Sequence, residues 1–145
     1  MLVSACLAGQ CCRYDGKSCT VSQVEEWVKS GKAVPICPEV AGGLEVPRTP
    51  CEIRSTAQGD RRVLSKNGRD CTDAFMRGAK EALRITKQFN ISKAVLKSHS
   101  PSCGYGQIYD GTFTGRLVGG NGMTAELLSQ NGVEIYDENS LSHFD

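Results

Sequence analysis

Short apolar runs alternate with stretches of helical periodicity along almost the whole chain. Leu2 to Ala5 is a run that ends at Cys6 and gives way to a glycine-containing loop through Cys11, Cys12, Asp15 and Gly16, which predicts a strand followed by a loop. Ser22 and Glu25 fit a capping box, Val24, Trp27 and Val28 share a helical face, and Gly31 stands where a helix would stop, so a helix of roughly ten residues is expected there. Ala33 to Ile36 predicts a second strand, ending at Cys37, and Pro38 to Pro50 is rich enough in glycine and proline to predict a long loop. Cys51 to Arg54 and Arg61 to Leu64 are short extended pieces. Ala74, Phe75, Gly78, Ala82, Thr86 and Phe89 recur at helical spacing, predicting the longest helix from about Asp70 to Asn90. Ile91 to Lys97 is β-leaning and runs into the loop that holds Ser100, Ser102 and Cys103. Alternation from Gln107 to Val118 around Asp110 and Gly111 predicts a hairpin or ordered flap, Met123 to Gln130 a helix closed by Gly132, and Val133 to Tyr136 a last strand.

Strands that alternate with helices predict an α/β fold: a three-layer α/β/α sandwich of Rossmann-like character, with a mainly parallel sheet and right-handed crossovers. With 145 residues and 39% apolar content, the chain has enough material for one core, and a single domain over residues 1–145 is expected. Ligands in such folds bind beyond the carboxyl ends of the strands.

Charge narrows the partners little. The chain has 17 basic and 16 acidic residues and no basic block that would grip a phosphate backbone, which argues against nucleic acid as principal partner. No apolar run approaches the roughly 20 residues of a membrane helix, and the N-terminus lacks the pattern of a secretory signal, so no membrane and a cytoplasmic address are expected. Cysteine changes the picture. Eight in 145 residues is high for a reducing compartment, where thiols serve metals or catalysis more often than structural disulfides.

Cys6, Cys37 and Cys103 each lie at or just beyond the end of a predicted strand, so three thiols distant in sequence can converge on the ligand-binding edge. Three thiolates suit a soft metal, and a [4Fe–4S] cluster held by only three would keep one iron open as a Lewis acid. Two plainer readings stay open at this point. Cysteines at strand ends are often only small buried hydrophobes. Zinc is compatible with the ligand types, although the chain has no Cys-x-x-Cys pair and only two histidines, one of them His99.

The segments Ser4 to Gly9 with Cys12 to Gly16, Pro35 to Glu39 with Gly42 to Arg48, and Lys97 to Gly104 together resemble the small bacterial thiouracil desulfurases over nearly the whole chain. The resemblance implies a [4Fe–4S] cluster held at Cys6, Cys37 and Cys103, and desulfuration of a small thiolated heterocycle such as 2-thiouracil with release of sulfide and no net electron transfer. In the reaction it implies, water attacks the thiocarbonyl carbon and a carboxylate takes the proton; Glu39, two residues after Cys37, is the expected base. Its competing role is that of a loop carboxylate paired with Arg48. Ser100 is expected to hydrogen-bond substrate or water, and Asp15 to orient a ring N–H, although Asp15-Gly16 is also an ordinary turn pair. Cys12 belongs to the first motif and is expected beside the cluster but outside the ligand set. Ala8 stands where the family leads one to expect leucine, and Cys51 and Cys71 where alanine and valine are expected. Cys11 and Cys19 have no assigned role. Two alternatives stand against the enzyme: a non-enzymatic zinc or thiol-redox module, and a sulfur-relay protein centred on Cys12.

Overall fold

The computed structural model describes residues 1–55 and 58–143. Eight strands and four α-helices follow one another in it: β1 (Leu2–Ser4), α1 (Ser22–Lys29), β2 (Val34–Ile36), α2 (Pro38–Ala41), β3 (Cys51–Ser55), β4 (Arg61–Ser65), α3 (Thr72–Gln88), β5 (Lys93–Leu96), β6 (Gln107–Tyr109), β7 (Leu117–Gly119), α4 (Met123–Gln130) and β8 (Glu134–Asp137). A 3-10 turn at Ala5–Ala8 follows β1 directly, and Leu141–His143 forms another near the C-terminus.

Strands β2, β1, β5 and β8 lie in that order in one sheet, all parallel, with Ser4 level with Ile36 and Val3 level with both Pro35 and Val95. Successive residues of a strand point to opposite faces, and the packing obeys that rule. Leu2, Ala94 and Leu96 join Ala82 of α3 and Ala125 and Leu128 of α4 on one face, while Val3 and Val95 join Leu7, Val24 of α1 and Ala33 on the other. Helices therefore cover both faces, which is the three-layer arrangement the sequence predicts. Each fully buried leucine or valine in these layers contributes about 1.5–3 kcal/mol, so the sheet is the rigid part of the molecule. Strands β3 and β4 form a separate antiparallel hairpin whose Ile53 and Val63 pack on Phe75 of α3 and Ile108 of β6; β6 and β7 form a second hairpin.

Three local expectations need correction. Ser22 is the first residue of α1 rather than its cap: Val21 occupies that place and no side chain bonds the helix start. With Val21 at the cap, Glu25 falls one position beyond the place of a capping-box glutamate and pairs with Lys29 instead. The long loop after Cys37 begins with one helical turn, α2, because Pro38 at its first position has no N–H to leave unsatisfied and its fixed φ suits the helix. Helix α3 starts at Thr72, since Asp70 is occupied in accepting the Thr72 amide from outside the helix at 2.9 Å, and it stops before Asn90, whose φ is 52°.

The short helix α2 is pressed backbone to backbone against α3. A Cβ on Gly78 would sit 1.8 Å from the Pro38 carbonyl oxygen, and one on Gly42 would sit 1.9 Å from the Ala74 carbonyl oxygen. Glycine is required at both positions by space. The prediction weighs two effects of opposite sign: Gly78→Ala gains about 1 kcal/mol of helix propensity, and the overpacking it causes costs about 1–3 kcal/mol or more. With backbone as the obstacle, overpacking wins. Urea unfolding of Gly78→Ala should show a net loss of stability, whereas Lys80→Ala, exposed on the same helix, should stay within about 0.5 kcal/mol of wild type.

Candidate active site

Beyond the carboxyl ends of β1, β2 and β5 lies a cavity of about 380 Å³, lined by residues that include Cys6, Cys12, Cys37, Glu39, Ser100 and Cys103. Cys6 sits in the turn after β1, Cys37 is the cap residue of α2 directly after β2, and Cys103 closes the loop after β5. The parallel register brings these three chain ends side by side.

The Cys103 loop is tightly pinned. Ser100 Oγ accepts the Cys103 amide at 2.7 Å and the Ser102 amide at 3.2 Å, and the first amides of α4 donate into the loop, Met123 to the Pro101 carbonyl at 2.8 Å and Thr124 to that of Ser102 at 2.9 Å. The Gly122 amide joins them by donating to the Gly104 carbonyl at 2.7 Å. Gly122 lets that contact close, because a Cβ there would come within 2.5 Å of the Ser102 carbonyl.

Electrostatics make the three thiols interdependent. Burial pushes Cys6 up to about 12, and the neighbouring Cys103, Cys19 and Cys37 push in the same direction, opposed by Lys97. Cys103 is raised to about 11, again mainly by burial, with hydrogen bonds from Ser102 and Ser4 opposing the rise. Cys37 is lowered, because the Cys12 thiol donates a hydrogen bond to its sulfur; the same bond drives Cys12 upward. A set of thiolates that raise one another's proton affinity is stabilised once a cation stands between them. Among the described residues no three His, Cys, Asp or Glu side chains lie close enough together to hold one metal ion, which for zinc means sulfurs roughly 3.8 Å apart. All three thiols line the one cavity of about 380 Å³.

Glu39 stands on the first turn of α2 with its carboxylate turned inward. Arg48 Nε lies 3.3 Å from Oε1, and Ser102 Oγ donates to Oε2 at 3.4 Å. Burial raises its pKa, and Arg48 and Ser102 work against the rise. Arg48 also donates to the carbonyls of Glu45 at 2.9 Å and Cys12 at 3.0 Å, so one guanidinium ties the first cysteine loop to the second. Glu39 is therefore paired with Arg48, as expected of a loop carboxylate, and it also lines the cavity.

Asp15 is not among the residues that line the cavity. It is exposed, its Oδ1 accepts the Lys17 amide at 3.0 Å, and Arg13 lies 4.0 Å from its Oδ2, as in a turn. Cys51 lines the cavity as well, and Cys71 adjoins it in the same core cluster. Three participants escaped the sequence reading. Ser102, 1% exposed, has its hydroxyl 3.3 Å from Cys103 Sγ as well as near Glu39. Lys97 lines the cavity and is held by Glu138 at 2.8 Å, and Glu52 lines it from β3. The Ser-Pro-Ser-Cys stretch contained the signal for Ser102, since both serines flank the same turn; nothing local marks Glu138, which lies 40 residues from its partner Ser98.

Comparison with known proteins gives a consistent picture. The model of the 2-thiouracil desulfurase family matches residues 1–140. An uncharacterised protein of Bacillus subtilis (strain 168), YbbK, is 41% identical, the match covering 98% of this chain and 97% of that one. The solved structure of TudS (DUF523Vcz), a [4Fe-4S]-dependent thiouracil desulfidase, superposes with a TM-score of 0.88 at 41% identity, over 98% of this chain and 92% of the other.

The Glu39–Arg48 pair yields a pH-dependent prediction. A carboxyl whose folded pKa is raised favours the native state while protonated and opposes it as pH rises above the unfolded value. Arg48→Gln removes the cation that restrains that rise. At pH 8 urea unfolding should show a loss of about 3 kcal/mol. At pH 5 the loss should shrink to that of the hydrogen bonds to Cys12 and Glu45, about 1–2 kcal/mol. Equal losses at both pH values would mean that the charge of Glu39 does not depend on Arg48.

Proposed function

The chain belongs to the 2-thiouracil desulfurase family, and from that premise we propose that it removes sulfur from a small thiolated heterocycle, such as 2-thiouracil, at a [4Fe–4S] cluster held by Cys6, Cys37 and Cys103. The observation that carries the reading is the convergence of three thiols, two buried and one partly buried, on one cavity with the inward-turned carboxylate of Glu39 at its wall. Such a donor set fits a cationic, multinuclear group: metal binding makes a coordinating thiol a thiolate outright and relieves the repulsion that burial intensifies. When bound, the cluster supplies an open iron that acts as a Lewis acid towards a thiocarbonyl.

The chain's own residues do the rest. Glu39, with a pKa raised by burial, takes the proton of the water that attacks the thiocarbonyl carbon, because an elevated carboxylate is a stronger base than one in water. Arg48 opposes the rise in its pKa and aims it by binding Oε1. Ser102 donates either to Glu39 or to the Cys103 sulfur, so its hydroxyl links the base to the sulfur ligand. Ser100 uses its oxygen on the Cys103 and Ser102 amides and thereby holds the loop, leaving its proton for Ser102 or for substrate. Carbon–sulfur cleavage is hydrolytic in this scheme: water supplies the oxygen, sulfur leaves as sulfide, and no electrons are exchanged. Asp15, held in its turn outside the cavity lining, has no part in this scheme. All eight cysteines are free thiols, which suits a reducing cytoplasm.

The Cys12 thiol on Cys37 favours a second reading, a sulfur relay through Cys12. One experiment separates the readings. After anaerobic reconstitution with iron and sulfide, Mössbauer spectroscopy should report a four-iron cluster in wild type and not in Cys6→Ala, Cys37→Ala or Cys103→Ala, with sulfide release from 2-thiouracil lost in step. Glu39→Gln should keep the cluster spectrum and lose about 10²-fold or more in rate. Full activity of Glu39→Gln together with an inactive Cys12→Ser would establish the relay instead, and metal bound as zinc without turnover would leave a structural thiol module.

A further inference from the structure

One wall of the cavity is built differently from the cysteine side. His99, Tyr109 and Phe113 line it, and the His99 ring meets Tyr109 edge to face with centroids 6.0 Å apart. Two of these three residues have left-handed backbones, φ 66° at His99 and 59° at Phe113. Non-glycine residues adopt that conformation only where surrounding contacts hold them in it.

For Phe113 the restraining contacts are visible, and they come from β3. Glu52 Oε1 accepts the amides of Gly111 at 2.9 Å and of Phe113 at 3.1 Å. Two residues along the same strand, Arg54 donates to the Gly111 carbonyl at 2.7 Å. The backbone of Gly111 lies flush on the strand, since a Cβ there would meet the Ile53 carbonyl oxygen at 2.8 Å. Within the loop, Asp110 Oδ1 accepts the Thr112 amide at 2.9 Å. A carboxylate that binds two amides flanking Thr112 fixes the direction in which the next side chain leaves the loop. That side chain is Phe113.

From this geometry we infer that Phe113 is the surface on which the ring of a planar heteroaromatic substrate stacks, and that Glu52 is the residue positioning it. Resting on the desulfurase reading, the inference adds a binding subsite to it: the cysteine side acts on the sulfur, and the flap between β6 and β7 recognises the ring. Ring-on-ring stacking tolerates changes of ring substituent, because every heteroaromatic substrate has a π-face. Glu52 is 9% exposed, and it lines the cavity while its carboxylate bonds go to the flap.

The test uses reconstituted holoprotein and compares Phe113→Ala, Phe113→Tyr, Glu52→Met, Glu52→Gln and the double variant Phe113→Ala/Glu52→Met. Phe113→Ala and Glu52→Met should each raise KM for 2-thiouracil roughly tenfold with kcat within about twofold, as expected when binding common to ground and transition states is lost. Phe113→Tyr and Glu52→Gln, which keep the ring and the acceptor oxygen, should recover most of that loss. The double variant should be no worse than the poorer single one, because both act through the same ring. A fall in kcat at unchanged KM, additive effects, or an unchanged KM in Phe113→Ala would overturn the inference. The optical spectrum of the cluster, measured on each variant, separates a binding defect from loss of the cofactor. If wild type releases no sulfide, the desulfurase reading falls, and calorimetric titration with uracil decides the subsite by itself. Uracil binding weakened about tenfold in Phe113→Ala supports the stacking surface; equal binding, or none to wild type, overturns it.

Discussion

Thiolates crowded at the edge of one sheet repel one another, and burial withdraws the water that would screen them. Cys6 and Cys103 respond by holding their protons more tightly, to about 12 and about 11, while Cys37 escapes because a neighbouring thiol donates to it. Much of the surrounding structure answers that one conflict. Hydroxyls from Ser4 and Ser102 point at Cys103, Lys97 offsets part of the charge near Cys6, and Glu138 fixes Lys97 in place. A metal cluster resolves the remaining repulsion more completely than any of these dipoles, since its positive charge stands among the sulfurs themselves.

Keeping the sulfurs in place requires that the backbone around them cannot relax. The parallel strands supply two of the fixed points, and the register of Ser4 with Ile36 sets Cys6 and Cys37 at neighbouring levels. The others are close backbone contacts. Gly42 and Gly78 let α2 lie directly on α3, and Gly122 lets the start of α4 seat itself on the Cys103 loop. In each case the absent side chain is what allows a helix to brace a cysteine-bearing turn. The same contact that braces Cys37 also sets the direction of Glu39, so candidate ligand and candidate base share one mechanical support.

Arg48 and Glu52 extend that support to the loops. Arg48 joins the first and second cysteine segments through the Cys12 carbonyl and Glu39. Glu52 anchors the flap on the far side. Both are charged groups turned inward and satisfied by fixed partners, so each is costly to leave unpaired and each rigidifies what it touches. The cavity is thus enclosed by elements that come from widely separated parts of the chain, and little of it depends on any single loop's own preference.

Much of this was legible from residue order because the controlling physics is local. Short apolar runs placed the sheet strands and a period-3.6 pattern the long helix, and Met123–Gln130 agrees with its expected bounds. Strand ends followed by Cys6, Cys37 and Cys103 pointed to one edge, because a parallel sheet brings its carboxyl ends together whatever the intervening sequence. The one-turn helix at Pro38 was hidden, since four residues are too few to show a period. Ser102's dual contact, the Lys97–Glu138 pair and the grip of Glu52 on the flap were hidden for a different reason. Each joins residues that no pattern relates, and which donor meets which acceptor is settled only when packed elements exclude water and leave one partner within reach. The sequence by itself determined the layers, the order of the cysteine loops and the kind of chemistry they can support; the tertiary structure alone decided the charges, partners and orientations inside the cavity, because those depend on burial and distance rather than on neighbours along the chain.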